Sequence, residues 1–161
     1  MSDFWSDRRN WTNQHLNCGS CALNLNYWYV PQGMTSEGHL YDRKHLIWDM
    51  LDNGYDDIEI CAELTYQDVS FMLNTINNLR LASSQDFEDK TKVIIAYRNF
   101  FVYDEEYDEY DSDFHFQVRR NGQWYEKCGS WDVQEITFSP DPWFFNEEIS
   151  YDGPIYFFVL E

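Results

Sequence analysis

The sequence predicts an α+β fold, with N-terminal helices packed on a C-terminal antiparallel sheet, and three observations carry that expectation. Apolar residues recur at helical spacing in the first half of the chain. From Lys92 onward, β-branched and aromatic runs bounded by turn residues take over. Between two of these runs stands Asn121-Gly122, a two-residue hairpin signal because both positions tolerate positive φ.

The elements follow in order. Cys18 to Trp28 begins after Asn17, a residue able to cap a helix, and carries Ala22, Leu23 and Leu25 before Pro31 stops it. Asp42 to Asn53 sets Leu46, Ile47, Met50 and Leu51 on one stripe and ends at Gly54. Thr65 to Arg80 runs Val69, Met72, Leu73, Ile76 and Leu79 at helical spacing. Lys92 to Tyr103 reads as one long buried strand, Phe114 to Arg120 and Gln123 to Lys127 as a hairpin, and Ile155 to Leu160 as a last strand. With 161 residues, 43% of them hydrophobic, no repeat and no linker, the chain is expected to form a single domain over 1–161, helical over about 1–84 and sheet over about 90–161.

Charge narrows the partners. Acidic residues number 29 against 11 Lys and Arg, a formal net charge of −18. Binding a phosphate backbone requires clustered cations, so direct nucleic-acid binding is not expected, whereas docking on a basic protein is. The run Asp104 to Asp113 holds seven of the carboxylates, and the rest of the chain without it would still stand at −11. Repelling like charges cannot be buried together, so this run is expected to be a solvated connection between two strands. No stretch approaches the run of about 18 apolar residues that a membrane helix needs, and Met1 to Asn10 has no apolar signal core, so no membrane contact and a cytoplasmic location are expected. In that compartment Cys18, Cys21, Cys61 and Cys128 are expected as free thiols.

Two residues stand out chemically. Cys18, at the expected first turn of a helix, lies where unpaired N–H groups favour a thiolate, although most cysteines are small buried hydrophobes. His115 alternates with Phe114 and Phe116, so its side chain points away from them. A thiol nucleophile needs a base, and the base a polar group that orients it. The strand across Asn121-Gly122 offers Glu126, which can accept the second imidazole N–H. His15, His39 and His45 have no such companions. Cys18-Gly19-Ser20-Cys21 spells C-x-x-C, but zinc would want a second pair at similar spacing and a thioredoxin-like redox pair would follow an apolar strand, so neither a metal nor any other cofactor is expected. The abundant aromatics fill sheet cores. Trp143-Phe144-Phe145, between Pro142 and Glu147-Glu148, is the segment expected to be exposed as a sticky interface.

Asn17-Cys18-Gly19-Ser20-Cys21-Ala22-Leu23, then Asp113-Phe114-His115-Phe116, then Gly122-Gln123-Trp124-Tyr125-Glu126-Lys127-Cys128-Gly129-Ser130 together resemble papain-like cysteine hydrolases of the NlpC type. The closer likeness is to small bacterial and phage proteins with N-C-x-x-x-A-L near the start and D-[FY]-H-[FW] ahead of G-x-W-S-H-K-x-G-S. The motifs span about a quarter of the chain, and the order of Cys helix then His strand spans nearly all of it. The resemblance implies a papain-like fold, a nucleophile at Cys18, a base at His115 and an orienting group at Glu126, where the related proteins often carry histidine. It also implies an oxyanion donor six residues before the cysteine. Thr12 stands there instead of glutamine, which leaves the Cys18 backbone N–H with Asn13 or Gln14 for that task.

Two functions are expected from these readings. The first is a cysteine hydrolase acting on an amide bond of a peptide or protein substrate through Cys18, His115 and Glu126. The second is a non-enzymatic acidic protein on an inactivated papain-like fold that imitates nucleic acid toward a basic host protein. In that case Asp104, Glu105, Glu106, Asp108, Glu109, Asp111 and Trp143 would form the binding surface.

Overall fold

The computed structural model describes residues 3–31, 43–144 and 149–161. The expected His39, Asp42, Phe145, Glu147 and Glu148 positions lie outside them. A six-stranded antiparallel sheet carries the fold. In chain order its strands are β1 (Leu79–Leu81), β2 (Val93–Asp104), β3 (Glu109–Arg120), β4 (Gln123–Lys127), β5 (Val133–Ile136) and, last, β8 (Tyr156–Leu160); their spatial order is β1-β8-β2-β3-β4-β5. A small second sheet pairs β6 (Trp143–Phe144) with β7 (Ser150–Tyr151). The helices are α1 (Cys18–Leu23), α2 (Lys44–Asp52), α3 (Asp57–Thr75) and α4 (Ser84–Glu88). The chain is thus α+β with an antiparallel sheet, as expected.

Strand alternation gives the sheet two buried faces. On one, Ile95, Tyr97, Phe114, Phe116, Val118 and Phe158 pack against Cys18, Ala22 and Leu23 of α1 and Val69 and Met72 of α3. Farther along this face Phe101 meets Ile47 of α2 and Ile60, Cys61 and Leu64 of α3. On the other, Ala96 and Phe100 lie under Trp143 and Tyr151, with Phe138, Ile155 and Phe157 packed around them. The aromatic content is largely spent in these layers.

Several boundaries move, each for a local reason. α1 ends at Leu23, short of the expected Trp28, because Asn24 adopts a left-handed backbone (φ 60) and its amide returns to Ser20 O. The Asn24 side chain also ties down the N-terminal segment, accepting from Trp5 N at 3.1 Å and donating to Asp3 Oδ2 at 2.9 Å. α3 starts eight residues before Thr65, where Asp56 and Glu59 form a reciprocal capping box. It stops at Thr75, and Leu79–Leu81 is a strand because it pairs with β8. The acidic run is a connection only at its tip. Glu109 to Asp113 belong to β3, since the β2–β3 hairpin stays in register as far as Asp104 opposite Glu109. At the other hairpin Asn121 (φ 51) and Gly122 (φ 80) take the expected positive-φ turn. Gly153 is required by contact, because a Cβ there would stand 2.7 Å from both Asn99 O and Cys61 Sγ.

α4 was not foreseen. It sits on the face opposite α1, where Arg119 donates to the carbonyls of Asp86, Phe87 and Asp89. Asp86 accepts from Arg80 Nη1 and Nη2 at 2.8 and 2.9 Å and from Ser83 N at 2.7 Å. The Arg80 hydrogen bonds first, then the Ser83 amide, hold its carboxyl far below the usual range. A depressed carboxylate stabilises the fold above its unfolded value of about 3.9 and loses that contribution as pH falls through the folded value. Asp86→Ala is therefore expected to lower the urea midpoint near neutral pH, with the gap from the parent closing as the pH drops below about 4. A gap that stays constant down the acid limb would refute the assignment.

Candidate active site

The candidate residues lie on β3, on and just after β4, and at the α1 N-terminus. On β3, Phe114 and Phe116 face the helices, so Asp113, His115 and Gln117 face the other way. Gln117 pairs directly with Glu126 on β4, which puts Glu126 on the face of His115 and diagonal to it. Cys128, two residues on, returns to that face.

His115 Nε2 lies 2.9 Å from Glu126 Oε1, and the same oxygen accepts from Gln117 Nε2 at 3.2 Å. The imidazole is buried and the carboxylate mostly so, with side-chain exposures of 7% and 20%. Burial works against the Glu126 carboxylate, but His115, Gln117 and the Cys128 thiol outweigh it and hold its pKa below the ordinary value. The imidazole is walled by Tyr151, ring centroids 5.3 Å apart, and by Trp143 at 6.0 Å, edge-on. Tyr151 OH donates to Asp113 Oδ2 at 2.8 Å. Burial raises the Asp113 carboxyl in spite of that bond.

Cys18 opens α1, and Asn17 caps it. Asn17 Oδ1 accepts from Ser20 N and Tyr29 N, both at 3.1 Å, while its Nδ2 donates to Tyr29 O at 2.6 Å. One side chain therefore fixes both the helix start and the segment that crosses it. The sulfur packs among Phe114 and Phe116, and the Phe116 N–H points to it at the place where β4 ceases to pair with β3. Burial first, and the Asp113 carboxylate second, push the Cys18 thiol well above its ordinary pKa. The expected thiolate is thus corrected. α1 has only six residues, and its terminal N–H groups do not offset the loss of water around the sulfur.

His115 and Glu126 come together as expected. Cys18 is not brought against them: it packs on the helix-covered face with Phe114 and Phe116, His115 points to the other face toward Trp143 and Tyr151, and no hydrogen bond links the two among the described residues. Long-range electrostatics relates them. Asp113 is electrostatically coupled to both, and Tyr151, whose ring lies on His115, is coupled to Cys18. Thr12, at the position where glutamine was implied, donates from Oγ1 to Arg9 O, and Asn13, one of the two expected substitutes, accepts from His15 N through Oδ1.

Trp143 is also corrected. It is 7% exposed, donating from Nε1 to Ser139 O at 2.8 Å, and Phe144 is the exposed member of the pair at 70%. The aromatic belongs to the wall of the His115 pocket, because the β6–β7 pairing folds it inward. Asp104, Glu105, Glu106, Asp108, Glu109 and Asp111 are all exposed, with Asp108 accepting from Tyr103 OH.

Sequence reasoning missed Asp113, Gln117, Cys128 and Tyr151. Counting by twos from His115 and Glu126 would have found the first three. Tyr151 arrives on a two-residue strand with no sequence signal. Lys127 was missed as well. It is fully buried, donates from Nζ to Gly129 O (3.2 Å) and Trp131 O (2.7 Å), and is coupled to Cys21, Cys18 and Cys128.

No protein-family profile, curated protein or solved structure matches the chain. Among the described residues no helix is long and apolar enough to cross a membrane.

Proposed function

We propose that the protein is a papain-like thiol hydrolase that cleaves an amide bond of a peptide or protein through an acyl-enzyme on Cys18. The 2.9 Å bond between His115 Nε2 and Glu126 Oε1 in a buried pocket supports this most directly, because it supplies a base already held by its orienting group. With Nε2–H donated to Glu126, Nδ1 carries the lone pair. Cys18 rests as a neutral thiol, and the step requires its Sγ to reach Nδ1 around the edge of β3 beyond Gln117, where β4 no longer pairs; its proton then leaves for Nδ1 as Sγ attacks the carbonyl carbon. Glu126 offsets the imidazolium charge. The leaving amine nitrogen takes the proton from Nδ1, and the C–N bond breaks. Water then attacks the thioester carbon by the same route, releasing the acid and restoring the thiol. The Asp113 carboxyl near Cys18 opposes any negative charge on sulfur, which favours attack in step with loss of the thiol proton.

General-base assistance contributes about 10²- to 10⁴-fold. Iodoacetamide labelling of Cys18 in the folded protein, followed by peptide mass mapping, is expected to slow about a hundredfold in His115→Ala and less in Glu126→Gln. Cys61, which packs in the separate cluster of α2, α3 and Phe101, serves as the internal standard. Equal Cys18 labelling in the parent and in a folded His115→Ala would overturn the proposal.

A further inference from the structure

We infer that His115, Glu126 and Cys128 form a binding site for a single zinc-class divalent cation, and that loading it switches the His115 base off. His115 Nε2 or Nδ1, a Glu126 oxygen and Cys128 Sγ lie within 4.8 Å of one another, on two adjacent strands whose register is set by the Asn121-Gly122 turn. A tetrahedral ion with bonds of about 2.0 to 2.3 Å would hold such atoms roughly 3.3 to 3.7 Å apart. Closing from the observed spacing to that one is a movement of about an ångström, which we assign to the Glu126 and Cys128 side chains. Glu126 and Cys128 are both only partly buried, which leaves an approach for the ion, whereas His115 forms the floor.

The donor set selects the metal. One imidazole and one thiolate favour zinc or cobalt over magnesium or calcium, which prefer all-oxygen shells. Three protein ligands leave a fourth position for water. Gln117, donating to Glu126, already acts as the outer group that orients a ligating carboxylate. On binding, the Cys128 thiol releases its proton to solvent and the sulfur lone pair goes to the metal.

The consequence for His115 follows from the imidazole ring. Once Nε2 gives its lone pair to the metal, the neutral ring carries its one proton on Nδ1 and cannot accept another. Loss of the base rests on the hydrolase reading, and the metal site does not.

Cobalt(II) titrated into the intact protein is expected to produce a thiolate-to-cobalt charge-transfer band that saturates at one equivalent and is erased by zinc. Cys128→Ser should abolish the band, Cys61→Ser should keep it, and Glu126→Gln should weaken cobalt affinity by about tenfold or more. Zinc should also reduce His115-dependent labelling of Cys18 to the level of His115→Ala. Absence of a charge-transfer band, or a band that survives in Cys128→Ser, would overturn the site. A band that forms normally while His115→Ala leaves Cys18 labelling unchanged would uphold the site and defeat the hydrolase reading instead.

Discussion

Asp68→Ala is expected to destabilise the fold by about 3–5 kcal/mol, the range for breaking a buried ion pair by removing one partner. Asp68 is fully buried in α3. Its Oδ1 accepts from Arg43 Nη1 at 2.7 Å, and its Oδ2 accepts from Tyr97 OH at 2.6 Å and Asn99 Nδ2 at 2.9 Å. Deleting the carboxylate would strand a guanidinium in the core with only Leu64 O, 3.2 Å from Nη1, to accept from it. Arg43 Nε and Nη2 already have no hydrogen-bond partner among the described residues. Tyr97 and Asn99 would each lose a hydrogen bond as well. Replacing both ions, Arg43→Met with Asp68→Leu, should recover part of the loss, because the uncompensated charge goes with them. Urea midpoints with unchanged slope would measure both. A single-variant cost below about 1 kcal/mol would mean that water reaches the pair.

Phe116→Ala ranks next, at about 3–5 kcal/mol for a buried phenylalanine whose surroundings collapse only partly. Phe116 is 1% exposed, with its ring 4.6 Å from Tyr97, 6.0 Å from Phe114 and 6.1 Å from Tyr29. Three large rings, on β2, on β3 and on the segment after α1, cannot close over the cavity without moving the sheet. The melting temperature should fall by roughly 10 °C in a domain of this size. Phe116→Leu, which refills most of the volume, should cost markedly less. The cavity would also open beside Cys18, so faster Cys18 alkylation in Phe116→Ala than in Phe116→Leu is expected from the same preparations.

The sheet was legible where side chains alternate over long runs and a turn leaves no choice, as in Val93 to Tyr103 and Phe114 to Lys127. Helix ends were read less well. Asn24, Asp56 and Ser83 decide them through backbone conformation and side-chain reach, and none is distinguishable by periodicity from its neighbours. Leu79 was read as the last turn of a helix because its spacing from Ile76 suits one, and pairing with β8, a partner about eighty residues away, overrides that preference. In the site, the His115–Glu126 contact was accessible from strand alternation plus a two-residue turn. The state of Cys18 was not, since a thiol's pKa depends on how completely tertiary packing removes water, and that depends on Phe114, Phe116 and Asp113 from a strand about a hundred residues away.

The place of β8 in the sheet bears on how the chain folds as it is made. β8 lies between β1 and β2 and, among the described residues, is the only partner of β1 in the sheet, yet its residues 156–160 are synthesised after those of every other strand described. Until they emerge, the β2–β3–β4–β5 meander can form by local pairing, but β2 keeps one edge open and β1 has nothing to join. The slow step is then a long-range insertion that zips both flanking strands at once, the kind of non-local contact that sets folding times in β-rich chains. During that interval Ile94 to Tyr97 offer an unpaired, apolar strand edge to any chain nearby, which makes the nascent protein most prone to association just before β8 arrives.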